Sequence, residues 1–250
     1  MVISDKEFKK FSKQIALKKI GINGQRKIFE AKILIIGVGG LGCPLLIYLI
    51  NSGVRNIGIV DDDKIELSNL NRQILYNSKD IGKFKIDKAY KFIKKTNNNI
   101  KVSKFKERIN KKNIKRILSK FDIICDGTDN FQTRYLINDF CLANKKILIS
   151  AAISKYSGHI FNFNFKRKGP CFRCFMPEPP INENNCETDG IMPTVAGIAG
   201  TLQANEVIKT ILNLKYNLNG KILIFDSMIS KFKIIKLNKN NRCIKECIKK

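Results

Sequence analysis

Gly37, Gly39, Gly40 and Gly42 close the apolar run Ile33-Leu34-Ile35-Ile36 at the spacing G-x-G-x-x-G. A continuous apolar run of this kind reads as a buried strand of a parallel sheet. Glycines at its end permit a tight turn and let a phosphate approach the backbone at Gly39 and Gly40. The segment that follows can open a helix, whose free N–H groups and positive dipole end attract an anion. The chemistry implied is nucleotide binding. The motif alone leaves NAD, FAD and ATP open, beside the bland reading of a glycine turn without ligand.

The residues downstream narrow the choice. A second apolar run, Ile57 to Val60, ends in Asp61-Asp62-Asp63. Asp61 lies about 20 residues past the glycines, where an acid can accept hydrogen bonds from a ribose. Asn69, Arg72 and Lys85 come next, and a hydride-transfer enzyme has no evident use for them beside its cofactor. A triphosphate does, because Arg and Lys neutralise its charge and orient the leaving pyrophosphate. A third run, Phe121 to Cys125, leads into Asp126-Gly127-Thr128-Asp129-Asn130. Asp129 suits Mg²⁺, which takes one or two carboxylates together with phosphate oxygens.

The cysteines suggest a second kind of chemistry. Cys171-x-x-Cys174 is half of a tetrahedral zinc site, and Cys243 and Cys247 can supply the other half. Four thiolates leave no open coordination position, so such a zinc would be structural. The alternative is a set of free thiols. Cys186 stands apart in the polar segment Asn184 to Thr188, where a loop thiol can be activated as thiolate. Cys43, Cys125 and Cys141 sit among apolar residues and read as core. The single histidine, His159, opens an alternating strand pattern and matches no motif, so no Ser-His or Cys-His arrangement is expected.

Taken together, these motifs resemble the ThiF/MoeB/HesA family, bacterial relatives of ubiquitin-activating enzymes. The likeness runs from about Phe8 to Cys247. It rests on the glycine loop, Asp61 and Asp63, Ser68-Asn69-Leu70-Asn71-Arg72-Gln73, Lys85, Thr128-Asp129-Asn130, Cys171-Phe172-Arg173-Cys174, Cys186 and Gly197 to Ala204. The resemblance implies ATP-dependent adenylation of the C-terminal glycine of a ubiquitin-like sulfur-carrier protein ending in Gly-Gly, by a homodimer. ATP and Mg²⁺ would be bound by Gly39, Gly40, Asp61, Ser68, Asn69, Leu70, Asn71, Arg72, Lys85, Asp129 and Asn130. Whether the carrier is MoaD-like (molybdopterin) or ThiS-like (thiamin) stays open. Cys186 matches a cysteine that some members use in thioester or persulfide chemistry and that others carry without using.

Two departures stand out. Many members end in a second C-x-x-C, whereas this chain has C-x-x-x-C at Cys243 and Cys247. Members often begin Arg-Tyr-x-Arg-Gln, with the second Arg reaching across a dimer interface to the triphosphate. Here the stretch is Lys10-Phe11-Ser12-Lys13-Gln14, and Lys13 offers a point charge without the bidentate fork. The rivals explain less. An NAD or FAD oxidoreductase leaves Arg72, Lys85 and the cysteine pairs unexplained. A non-catalytic carrier-binding module would have lost the phosphate-contact residues.

The elements that must position these groups read as a Rossmann-like α/β fold. Residues 1–30 read as helical, with Gly21 and Gly24 as breakers. Residues 31–150 alternate strands at 32–36, 56–60, 100–105, 121–125 and 146–150 with helical patterns, the signature of a parallel, nucleotide-binding half. From about 156 the period changes to 2, in His159 to Phe165, Lys221 to Asp226 and Phe232 to Leu237. This predicts antiparallel strands and a carrier-binding half over 151–250, interrupted by a loop at Pro177 to Asn185 and a helix from Pro193 to Leu212. The 250 residues are read as one ThiF-type domain. The net charge of +26 comes mostly from Lys scattered along the chain. Abundant Lys, Asn and Ile fit AT-rich codons better than a nucleic-acid surface, and no nucleic-acid partner is expected. No apolar run has membrane-spanning length and the N-terminus does not read as a signal peptide, which predicts a cytoplasmic protein without membrane contact.

Overall fold

Successive residues of the first apolar run face opposite ways, and both ways are buried. In the computed structural model, which describes residues 3–179, 190–240 and 243, β1 (Lys32–Ile36) points Ile33 and Ile35 into one core cluster and Leu34 and Ile36 into another. A strand covered on both faces is what an uninterrupted apolar run requires. The strand belongs to an eight-stranded sheet in the order β3-β2-β1-β4-β5-β6-β7-β8. Its companions are β2 (Asn56–Val60), β3 (Lys101–Phe105), β4 (Ile123–Asp126), β5 (Ile147–Ser154), β6 (Ser157–Asn164), β7 (Lys221–Asp226) and β8 (Lys231–Lys236). Strands β1 to β5 pair parallel and β5 to β8 antiparallel.

The helices cover the sheet. They are α1 (Asp5–Ile15), α2 (Gly21–Glu30), α3 (Gly42–Asn51), α4 (Lys85–Thr96), α5 (Ile114–Leu118), α6 (Phe131–Ala143), α7 (Phe172–Phe175) and α8 (Pro193–Ile211). Helix α1 starts at a capping box: Ser4 Oγ accepts from the Glu7 N–H and Glu7 Oε2 accepts from the Ser4 N–H. Long α8 begins at Pro193, where a missing N–H does no harm, and packs across α3, β5 and β6.

The strand expectations hold to within a residue or two, except that β5 continues to Ser154. The extra length lets β5 finish its parallel pairing with β4 at Ser150 and keep pairing antiparallel with β6, Ile147 opposite Asn164 and Ser154 opposite Ser157. The expectation of Gly24 as a breaker is wrong. Gly24 lies inside α2, and a Cβ there would come within 2.9 Å of Leu212 Cδ2. Its smallness serves close packing between α2 and the end of α8. Most of the Pro177–Asn185 segment lies outside the described residues. Among the described residues, no helix is long and apolar enough to cross a membrane.

Candidate nucleotide site and cysteine cluster

The strand order reverses between β1 and β4, and the carboxyl ends of strands at such a point are where α/β sheets open a ligand crevice. The glycine loop stands there. Gly37 has φ +86°, a conformation that favours glycine. A Cβ on Gly42 would lie 2.0 Å from the Gly37 carbonyl oxygen, so only glycine lets α3 start this close to the strand.

Val38 is the anchor of the loop. Its N–H donates to Asp61 Oδ2 (2.8 Å), while its carbonyl accepts from the Tyr76 hydroxyl (2.7 Å) and from the Cys43 thiol (3.4 Å). Asp61 Oδ1 accepts from the Asp63 N–H (2.9 Å). Burial pushes the Asp61 carboxyl up to about 6 and the Cys43 thiol up to about 12. Asp61 therefore fixes the loop through Oδ2 and the segment after β2 through Oδ1, and each oxygen keeps another lone pair for a ligand hydroxyl.

The other expected residues gather around this loop. Asn69 is buried and its Oδ1 accepts from the Glu66 N–H (3.3 Å), closing the 3₁₀ turn Leu67–Asn69. Arg72, at the end of that turn, donates from Nη1 to the Ser68 carbonyl (2.9 Å) and Asn71 Oδ1 (3.1 Å). A Cβ on Gly40 would lie 3.4 Å from Arg72 Cγ and 3.3 Å from Ala196 Cβ on α8. Ser68 and Asn71 are exposed, and Leu70 packs on the buried Cys43, Ile65 and Tyr76. Lys85, the first residue of α4, is 6% exposed and pairs with Asp63 (2.8 Å). Asp129 is exposed on the segment after β4, whose Gly127 carbonyl would lie 3.1 Å from a Cβ on Gly37. Asn130 caps α6, its Oδ1 accepting from the Thr133 N–H (2.9 Å). A cavity of about 200 Å³ adjoins Arg72, lined also by Pro44, Asn71, Ile74, Pro193, Thr194 and Gly197. One of about 220 Å³, at Lys32, Lys101 and Lys120, lies at the other end of the strands.

Lys13 is not brought to this site within the chain. It is exposed on α1, and its neighbour Gln14 bonds to the Ser52 carbonyl (3.0 Å) at the far end of α3.

On the other side of α6, Cys171 Sγ lies 3.9 Å from Cys174 Sγ and 3.1 Å from Cys243 Sγ, and the three sulfurs all fall within 4.8 Å of one another. Sulfurs held about 2.3 Å from a tetrahedral zinc sit about 3.8 Å apart. The Cys171–Cys174 pair matches that spacing, the Cys171–Cys243 pair is shorter, and the three thiols together could hold a metal ion. Hydrogen bonding from Cys171 and from the Asn240 N–H holds the Cys174 thiol below the ordinary range. The knuckle is docked on α6: Phe172 N–H donates to Asn138 Oδ1, and Arg173 makes a bidentate pair with Asp139. Cys186 and Cys247 lie outside the described residues. Cys43, Cys125 and Cys141 are buried as expected. His159 sits against Phe161 and Phe175, and burial lowers its pKa.

Sequence reasoning gave no role to several residues that support the site. Tyr76 holds Val38. Gln73 is buried beside Gly39, and its Oε1 has no partner among the described residues. Asp126, Arg134 and Ser150 form a buried cluster behind Asp129. The one available signal was Arg134 as the sole cation in α6.

A family model, "ThiF family", matches residues 11–245. This chain belongs to the ThiF family. Among curated relatives, "Adenylyltransferase and sulfurtransferase MOCS3" of Culex quinquefasciatus is 41% identical over 237 residues, 94% of this chain and 54% of that protein. The chain thus spans about half the length of that relative. "Probable molybdopterin-synthase adenylyltransferase" of Gracilaria tenuistipitata var. liui is 39% identical over 243 residues, 96% of this chain and 68% of that one. Among solved structures, E. coli MccB with AMPCPP and MccA is 25% identical with a TM-score of 0.76, covering 86% of this chain and 66% of that one. The ThiF fold, parallel and then antiparallel, is the one expected from the motifs.

Proposed function

We propose that this ThiF-family chain uses Mg-ATP to adenylate the C-terminal carboxylate of a ubiquitin-like sulfur-carrier protein. The observation that carries the reading is the ring of ionisable groups around the glycine loop: Arg72, the Lys85–Asp63 pair, Asp61 and Asp129, drawn from separate segments. The carrier carboxylate attacks the α-phosphorus, its acyl-phosphate bond forms, and the bond to pyrophosphate breaks. No side-chain nucleophile is needed. Gly39 and Gly40 lie against the phosphates, Asp61 accepts from the ribose, and Asn69, Arg72 and Lys85 orient the triphosphate, with Ser68, Leu70, Asn71 and Asn130 shaping the walls. Asp129 would hold Mg²⁺, which supplies charge neutralisation at the phosphates. In a homodimer, Lys13 of a second copy would add a further charge.

Residues 151–250 form the carrier-binding half in this reading, supported by the apolar side chains that β8 leaves exposed. Zinc would be structural there, held by Cys171, Cys174 and Cys243 with Cys247 as fourth ligand. The relatives' names favour a molybdopterin-type carrier over a thiamin-type one. The test is exchange of labelled pyrophosphate into ATP with one purified Gly-Gly carrier of each type. Exchange dependent on the molybdopterin-type carrier is expected; no exchange with either overturns the reading.

A further inference from the structure

Asp129 has little holding it directly. Among the described residues, its one hydrogen bond is a 3.4 Å contact from Asn130 Nδ2. The residue before it is held from both sides. Asp126 Oδ1 accepts from the Thr128 N–H (3.0 Å) and the Thr128 hydroxyl (2.6 Å). Arg134, one turn into α6, donates from Nη2 to the Thr128 carbonyl (2.7 Å) and to the Ala151 carbonyl (3.0 Å). Its Nη1 donates to Ser150 Oγ (2.7 Å) and lies 3.4 Å from Asp126 Oδ2, while the Ser150 hydroxyl donates to that same oxygen (2.6 Å).

Arg134 is 4% exposed and Asp126 is fully buried. A buried ion pair alone is weak evidence of a stabilising role, because desolvation offsets the attraction. The direction of these bonds is more informative. One guanidinium ties the loop carbonyl at Thr128 to the strand end at Ser150 and Ala151, which fixes where residue 129 can stand. Only a planar fork with several donors does this; an ammonium cannot reproduce it.

We propose that Arg134 is a positioning residue: through Thr128 it sets the place of the Asp129 carboxylate and so the affinity of the site for the metal–nucleotide complex. The inference rests on the adenylation reading above. It assigns Arg134 no contact with ATP.

The test is equilibrium binding of ATP by calorimetry, without carrier, as a function of Mg²⁺. Arg134→Lys keeps a charge opposite Asp126 while losing the fork. It should melt cooperatively near the wild-type temperature yet need about 10-fold more Mg²⁺ for half-maximal binding, in line with the 10–100-fold effects of removing a ligand's orienting partner. Ser150→Ala, which strands no charge, should shift the requirement the same way by only about threefold, the effect of losing one neutral hydrogen bond. Arg134→Lys that folds with unchanged Mg²⁺ dependence overturns the inference. Arg134→Lys that does not fold also overturns it, marking the residue as structural. Asp129→Asn separates the two levels: if it raises the Mg²⁺ requirement and Arg134→Lys does not, only the inference fails. If wild-type binding is indifferent to Mg²⁺ and to Asp129→Asn, the adenylation reading fails.

Discussion

At the carboxyl ends of β1, β2 and β4 the charged side chains Asp61, Lys85, Asp126 and Arg134 are buried. At the β7–β8 end the apolar side chains Met228, Ile229, Phe232 and Ile234 are exposed, Phe232 and Ile234 by 56% and 59%. Each arrangement reverses the usual partition. Buried charge is retained in the parallel half because it bonds to backbone that must not move: Val38, Asp63, Thr128 and Ala151. Exposed apolar area in the antiparallel half remains because nothing within the described chain covers it. The edge strand β8 carries Lys231, Lys233 and Lys236 among its apolar residues, and edge lysines discourage indiscriminate strand pairing. On the proposed reading, the first half holds a small charged ligand rigidly and the second presents a face.

The sharpest way to break this contrast is at the ligand end. Arg72→Ala and Asp129→Ala should each lower pyrophosphate exchange on the order of 10²–10³-fold, the usual effect of losing one transition-state contact. Both side chains are half-buried or exposed and sit outside the core clusters, so melting temperatures should not change. Wild-type exchange in both variants would mean that the charged ring serves something other than ATP.

A second test addresses the cysteine cluster. Elemental analysis should find one zinc per chain, and Cys171→Ser should release it. The melting temperature should fall by roughly 5–10 °C, given about 2–3 kcal/mol lost in a chain of this size. The knuckle grips α6 through Asn138 and Asp139, so the loss should spread to that helix. A metal-free protein of unchanged stability would leave the sulfur triangle without a ligand role.

What was legible in the sequence follows from range. The glycine loop, the β2 acid and the Cys171/Cys174 pair are local patterns whose chemistry depends on spacing along the chain. They could be read, and the structure places all of them at strand ends or on one knuckle. The supports could not. Tyr76 reaches Val38 across 38 residues, and Ser150 reaches Asp126 across 24. These bonds exist only because β1, β2, β4 and β5 line up, and no periodicity encodes which hydroxyl meets which carbonyl. Gly24 failed for the same reason, since its neighbour Leu212 is distant in sequence. The continuation of β5 was hidden by a change of partner within one strand.

A smaller effect is expected from pH. Burial sets the Asp61 carboxyl at about 6. Above that value it is a carboxylate and accepts from Val38; below it, the proton removes part of that acceptor capacity. Nucleotide affinity should therefore weaken as pH falls through about 6, by an amount on the order of one hydrogen bond, about 1 kcal/mol. Stability runs the other way. The folded group holds its proton above the ordinary Asp value near 3.9, so its contribution to stability declines as pH rises from about 4 to about 6. Calorimetry at about pH 5 and about pH 7.5, repeated on Asp61→Asn, checks both signs. A variant with the wild-type pH profile would move the titration to another group.

The smallest expected effect is none, and it divides the two halves most cleanly. Attack of a carboxylate on the α-phosphorus uses no thiol, and the described thiols near the glycine loop are unsuited to help. Cys43 is buried with its pKa pushed up to about 12 and donates to Val38. Cys186→Ala should therefore keep wild-type pyrophosphate exchange. The same variant, incubated with carrier and ATP, then reads later chemistry: loss of a thiol-sensitive covalent adduct assigns Cys186 to sulfur handling, and an unchanged adduct makes it accessory. Loss of exchange itself would erase the division. It would mean that the segment around Cys186 closes over the carrier tail to complete the adenylation site, so that the antiparallel half would help build the chemistry as well as the face.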